Sequence, residues 1–181
     1  GTTLETEISS VSFGPPPLLQ ARSQECDGHE SFDITYSSGG TFGPEDRGKA
    51  VVGADLVKKL NAEVGKNITI RGKEFEVVGI MEKTFTAPDG VVLVPFADGQ
   101  QVIYEDLPSI VRNQLKAEDI TNGFIAYPDE GVDPDELATK IEEQVQDVSG
   151  QGPKKFEDQI ASTVRTFTSI IYGIAVISLL V

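Results

Sequence analysis

The chain has 181 residues, with 29 acidic against 15 basic side chains and a formal net charge of −14. That balance argues against a nucleic-acid binder, whose phosphate affinity is carried by clustered Lys and Arg, and against docking on anionic lipid headgroups. A single cysteine and a single histidine exclude a disulfide framework and a Cys-based zinc site, and they leave little material for imidazole chemistry.

The first 45 residues give the weakest signals. Leu4, Ile8 and Val11 fall at helical spacing, yet Ile8–Phe13 reads equally well as a strand. Pro15-Pro16-Pro17 ends either element. The start GTTLETEISS has no basic n-region and no apolar h-region, so no signal peptide is expected. Residues 23–29 read as a loop, Phe32–Tyr36 as a half-buried strand, and Ser37–Gly40 as a turn.

From Ala50 the pattern sharpens. Ala50–Gly53 predicts a short buried strand, and Asp55–Ala62 a short helix with Gly65 past its end. Asn67–Ile70 and Phe75–Met81 predict a hairpin turning at Gly72-Lys73. Pro88-Asp89-Gly90 is a turn, and Val91–Val94 a buried strand stopped by Pro95. Helical turns follow at Ala97–Tyr104 and Ser109–Leu115, separated by Pro108, and a strand at Asn122–Tyr127. Asp133 can cap a helix that has Pro134 at its first position and Glu136 three residues from the cap. Leu137, Ile141, Val145 and Val148 line one face of it. Gly150–Pro153 breaks it, and a last helix begins near Phe156.

The end of the chain is of a different composition. Arg165 is the last charged residue, and eleven of the fifteen residues from Phe167 to Val181 are apolar. Fifteen residues rise roughly 22 Å, short of the ~30 Å hydrocarbon core of a bilayer. Two readings stand: a buried C-terminal core helix, or the first part of a transmembrane helix interrupted by the end of the fragment. No charge, cap or glycine terminates the run, which favours the second.

Few residues suggest chemistry. Gly43–Lys49 has the spacing of a phosphate-binding loop. However, Ala50 replaces the Ser/Thr that would hold magnesium, Glu45 and Asp46 would oppose phosphate, and a strand pattern follows instead of a helix. Cys26 and His29 offer two ligands where a tetrahedral site needs four. Asp133, Asp135 and Glu136 lack the EF-hand pattern, and capping accounts for Asp133 and Glu136. Asn67-Ile68-Thr69 is a glycosylation sequon set within a predicted strand. No Ser-His-Asp arrangement can be assembled around His29 alone. No catalytic, cofactor-binding or metal-binding residue is therefore expected, and no binding residue can be assigned.

Several segments, in order, resemble the extracytoplasmic domain of MacB-like ABC transporter permeases, the macrolide-exporter and lipoprotein-releasing superfamily. They are Gly40-Thr41-Phe42 with Glu45-Asp46, Ala50–Ala54, Val64–Ile70 with Gly72–Ile80, and Val91–Phe96. Val132–Leu137 resembles the family's V-D-P-D-E-V/L helix start, and Ile174–Val181 the opening of its second transmembrane helix. The resemblance implies an α+β fold in which a small β-rich, barrel-like lobe (40–100) is inserted into an α/β lobe (1–39 and 101–165). A stalk helix then leads into a truncated transmembrane segment (166–181). Family members carry a longer strand–helix–strand unit where this chain has its short, Pro-interrupted residues 1–40.

The implied function is non-catalytic: the domain transmits ATP-driven motion to export or lipoprotein handling on the extracytoplasmic side of the cell membrane. The implied partners are a cytoplasmic ATPase subunit, the membrane through the C-terminal helix, and a second permease in a homodimer or heterodimer, with no nucleic acid and no cofactor. Two alternatives compete with this reading. One is a membrane-anchored binding or assembly module without a transporter role. The other is a soluble enzyme or sensor in which Phe167–Val181 packs inside the fold.

Overall fold

The computed structural model describes residues 2–4, 17–23 and 34–180, with no side-chain description at 2, 3, 179 and 180. Ile8–Phe13, Cys26, His29 and the Phe32-Asp33 half of the first predicted strand lie outside the described residues. The architecture is mixed α/β and divides into two compact units, Gly1–Phe124 and Ile125–Val181.

Among the described residues, unit 1 is built on seven strands: β1 (Thr2–Thr3), β2 (Leu18–Arg22), β3 (Tyr36–Gly39), β4 (Lys49–Val52), β5 (Asn67–Ile70), β6 (Lys73–Met81) and β7 (Val91–Pro95). They form one sheet in the order β1-β2-β7-β4-β6-β3, with β5 also paired to β6. The pairs β2/β7 and β4/β6 are parallel, and the others antiparallel. The hairpin between β5 and β6 turns at Arg71-Gly72, both with positive φ (50° and 78°), one residue earlier than the sequence predicts. A two-residue turn with left-handed torsions matches the right-handed twist of the strands it joins. Arg71 tolerates that torsion while its guanidinium is ion-paired with Asp106 at 2.8 Å.

Both faces of the sheet are buried, as its parallel pairs lead one to expect. Val92 and Val94 of β7 join Ala50 and Val52 of β4 in one core with Leu19, Phe75 and Val77. The alternate residues Val91, Leu93 and Val51 face the other way, with Phe42 and Met81. This explains why Val91–Val94 is a continuous apolar run.

A bulge lies in the middle of β6. Ala50 pairs with Val77 and Val51 with Gly79, so the register shifts by one residue. Phe75 and Val77 consequently face the first core while Met81 faces the second. The extra residue reverses the alternation, because a slip of one turns every later side chain to the opposite face.

The short helix after β4 is a 3-10 turn (Ala54–Leu56) running into α1 (Val57–Leu60). It is stopped by Asn61 in the left-handed conformation (φ 48°), four residues before the predicted Gly65. α2 (Phe96–Asp106) starts directly from β7 and buries Val102 in the first core. Its Gly99 lies against Ala21 of β2, where an added Cβ would come within 2.2 Å of the Ala21 Cβ. α3 (Ser109–Arg112) follows Pro108.

The strands differ from expectation in three places. Ser37–Gly40 is not simply a turn, since Tyr36–Gly39 is a strand paired with β6, and the Ser37 hydroxyl donates to the Ile80 carbonyl at 3.3 Å. β2 is not among the elements that the sequence predicts. Asn122–Tyr127 is not a strand: Phe124 and Ile125 are 86% and 71% exposed, and the segment pairs with no strand among the described residues.

Unit 2 contains α4 (Pro134–Gln144) and α5 (Pro153–Leu180). Asp133 caps α4 as predicted, accepting the Asp135 and Glu136 N–H groups at 2.8 and 3.3 Å. The helix ends at Gln144, so Val145 and Val148 lie beyond the face they were expected to extend, both exposed. The two helices approach through glycines. A Cβ on Gly150 would meet the Ala138 carbonyl at 2.2 Å, and one on Gly152 the Asp135 carboxylate at 2.3 Å. That carboxylate accepts the Lys154 N–H at 3.1 Å.

α5 starts three residues before the predicted Phe156 and has 28 residues, about 42 Å at the usual rise. Its stretch Pro153–Ser178 is by length and composition apolar enough to cross a membrane, an 18-residue window in it reaching a mean hydropathy of 1.5, and that window is not buried. Phe167, Ile171, Tyr172 and Ile177 are all more than half exposed, which is not the arrangement of a core helix. The hydroxyls of Thr163, Thr166, Thr168 and Ser169 each donate to the carbonyl four residues back, at 2.8–3.0 Å.

Candidate functional site

Among the described residues, those singled out for chemistry are not brought together. The Gly43–Ala50 segment is a turn closed on itself: Asp46 accepts the Gly43 N–H at 2.6 Å, and its own N–H donates to the Gly43 carbonyl. A carboxylate thus occupies the donors a phosphate would need, and β4 follows, not a helix. Asp133 and Asp135 are engaged at the start of α4 and α5. Among the described residues there is no group of three His, Cys, Asp or Glu side chains that could hold a metal ion.

The feature that sequence reasoning missed is the loop between β6 and β7. Asp89 is 2% exposed, the one buried charged residue among those described. One carboxylate oxygen accepts the Thr84 N–H (2.9 Å) and the Thr84 hydroxyl (3.0 Å), and the other accepts the Phe85 N–H (2.7 Å). The Thr84 N–H bond, foremost, then the Thr84 hydroxyl, the Phe85 N–H and the Lys83 charge, hold the carboxyl below its ordinary value of 3.8 against the cost of burial. Gly53 makes room for this loop, since a Cβ there would fall 2.4 Å from the Pro88 carbonyl oxygen and 2.5 Å from that of Asp89.

The loop presents Phe85, 87% exposed and at φ 59°. Its ring lies 5.1 Å from the Lys83 ammonium, which is ion-paired with Asp55. That hydrogen-bonded pair raises the Lys83 pKa. A bulky side chain at positive φ is strained, and it persists where the surroundings over-determine it. Here the buried carboxylate does so. Glycine has no such strain, so Phe85→Gly is expected to raise stability by about 0.5–1 kcal/mol, measured as a higher urea midpoint. A lower midpoint would mean the ring contributes more than its exposure indicates.

Beside the loop, Ala87, Pro88, Val91, Leu93, Met81 and Arg22 line most of an open, largely apolar cleft of about 230 Å³. With its oxygens committed to the loop, Asp89 is an anchor and not an acid–base group near neutral pH. Asp89→Asn should therefore lower the urea midpoint at pH 7 with little change in slope. The sign follows from the depressed pKa: the carboxylate's contribution is complete above about 3.8 and is lost as pH falls through the lower folded value. The difference between the two proteins should thus shrink below pH 3.8. A difference that persists unchanged in acid would assign the effect to packing instead of charge. The only sequence signal for this anchor is the turn Pro88-Asp89-Gly90, which identifies the bend but not the burial.

The model of the MacB-like periplasmic core domain matches residues 10–144. Among solved structures, the chain is similar to the extracellular domain of the noncanonic ABC-type transporter YknZ from Gram-positive bacteria. That match has 20% identity and a TM-score of 0.36, over 43% of this chain and 42% of that one. No curated protein matches. With a family model matching well over half its length, the chain belongs to the MacB-like periplasmic core domain family.

Proposed function

We propose that this chain is the extracytoplasmic domain of an ABC transporter permease subunit, with no catalytic role of its own. The observation that carries the proposal is the family match over residues 10–144. Support comes from α5, an exposed apolar helix continuous with a charged first part. In this reading the first part, about 156–165, is a stalk, and residues 166–181 begin a membrane-spanning helix. Residues 40–100 form the β-rich, barrel-like lobe inserted into an α/β lobe of 1–39 and 101–165. β4 to β7 fall within 40–100, in one sheet with β1 to β3.

ATP hydrolysis by a separate cytoplasmic subunit moves the domain through the stalk, which can pass on a displacement because a continuous helix is stiff. The permeases pair as a homodimer or heterodimer. The test is the full permease with its ATPase in liposomes, with nitroxide labels replacing exposed Lys66 in two copies. ATP with vanadate should shift the label–label distance. A flexible Gly-Ser insertion at 160–162 should abolish the shift while ATP hydrolysis continues. Failure of any ATPase to associate, or a distance that ignores nucleotide, would overturn the proposal.

A further inference from the structure

We infer that Asn67 is an acceptor for N-linked glycosylation; this rests on the extracytoplasmic reading, since the reaction modifies proteins outside the cytoplasm. Asn67-Ile68-Thr69 is the one Asn-x-Ser/Thr triplet in the chain. A sequon inside a strand is commonly inaccessible, and the structure answers that objection in three ways.

First, Asn67 is the first residue of β5, at the strand's open end. The strand is approached through Gly65 at φ 85° and a turn in which the Lys66 N–H donates to the Glu63 carbonyl. Second, the alternation of the strand separates the triplet's parts. Ile68 is 3% exposed and anchored in the core, while Asn67 and Thr69 on either side of it are both exposed. Residues two apart on a strand share a face, so the carboxamide and the hydroxyl stand together in solvent. Third, β5 pairs only with β6 among the described residues, so its other edge carries no strand. The Asn67 carboxamide donates one long bond, 3.3 Å, to the exposed Glu74 carboxylate, which is easily exchanged for water.

The substrate class is a lipid-phosphate-linked oligosaccharide. A bond forms between the Asn67 Nδ2 and the anomeric carbon of the first sugar. The bond from that carbon to the phosphate oxygen breaks, and its electron pair leaves with the lipid phosphate. The carboxamide proton passes to a base of the transferase. Nothing is oxidised or reduced. The attached glycan would shield the unpaired edge of β5, where another chain could otherwise add a strand.

The test uses the full protein isolated from the membranes of its own cells. Trypsin cuts after Lys66 and Arg71, releasing Asn67–Arg71 for mass spectrometry. We expect that peptide to carry a hexose-containing increment, to lose it in Asn67→Gln and Thr69→Ala, and to keep it in Thr69→Ser. All variants should share one urea midpoint, which separates loss of the glycan from loss of the fold. In parallel, Lys58→Cys in a Cys26→Ser background is treated on intact cells with a membrane-impermeant maleimide. An unmodified peptide with labelled Cys overturns the glycosylation and leaves the location intact. An unmodified peptide with unlabelled Cys overturns both.

Discussion

Gly79→Ala is expected to destabilise unit 1 by about 3 kcal/mol or more, the range of severe core overpacking. A Cβ on Gly79 would fall 1.9 Å from the Gly40 carbonyl oxygen, which is backbone and cannot swing aside. The opposing contact is equally tight, as a Cβ on Gly39 would lie 2.1 Å from the Val78 carbonyl oxygen. β3 and β6 approach at this point only because both lack side chains. Gly79 is also where the β4–β6 register shifts, so displacing it endangers the face assignment of Met81 and Ile80. Gly90→Ala is the control, since nothing lies within 4 Å of its added Cβ. It should move the urea midpoint by less than about 0.5 kcal/mol equivalent. A Gly79→Ala protein as stable as the control would mean that β3 does not pack against β6 as described.

The second large effect concerns the membrane. A chain ending at Arg165 is expected to pass from the carbonate-resistant membrane pellet almost wholly into the supernatant, while the full chain stays in the pellet. The removed residues carry no charge, and those of 167–177 are mostly exposed. In water an uncovered apolar surface of this size is a liability, and in lipid it is what the solvent requires. A single Ile174→Arg should weaken insertion in the same direction, by about 2.5–3.5 kcal/mol at a mid-helix position. If the full chain appears in the supernatant, α5 is covered by protein and the spanning assignment fails.

What the sequence revealed was local in origin. β4, the β5–β6 hairpin, β7, the cap at Asp133 and the apolar tail each follow from signals within a few residues: an apolar run, an alternation, a turn pair, a capping carboxylate. β2 was hidden because Leu18–Arg22 becomes a strand by pairing in parallel with Val91–Pro95, far along the chain. Asn122–Tyr127 misled for the converse reason: Phe124, Ile125 and Tyr127 read as an apolar strand, but the segment pairs with no strand among the described residues. The bulge at Val78-Gly79 was hidden too, since Phe75, Val77, Gly79 and Met81 alternate without fault in the sequence and only the register with β4 shows the reversal. The family could be read from the order of several weak segments, none sufficient alone. The anchor at Asp89 could not, because a carboxylate in a Pro-Asp-Gly turn reads as solvent-exposed until the Gly53 contact closes over it.

The hydroxyls that fold back along α5 bear on how tightly the helix is fixed in depth. By composition, Thr166, Thr168 and Ser169 break the apolar character of the segment just past Arg165. Each spends its donor on its own helix, so none demands a water or a partner helix. In the membrane-spanning reading proposed above, this stretch would therefore carry no unmet donor into hydrocarbon. A helix with such a neutral collar can ride up or down by about one turn, roughly 5 Å, without exposing an unmet donor. Movement along the membrane normal would then be limited by Arg165, not by the hydroxyls beyond it.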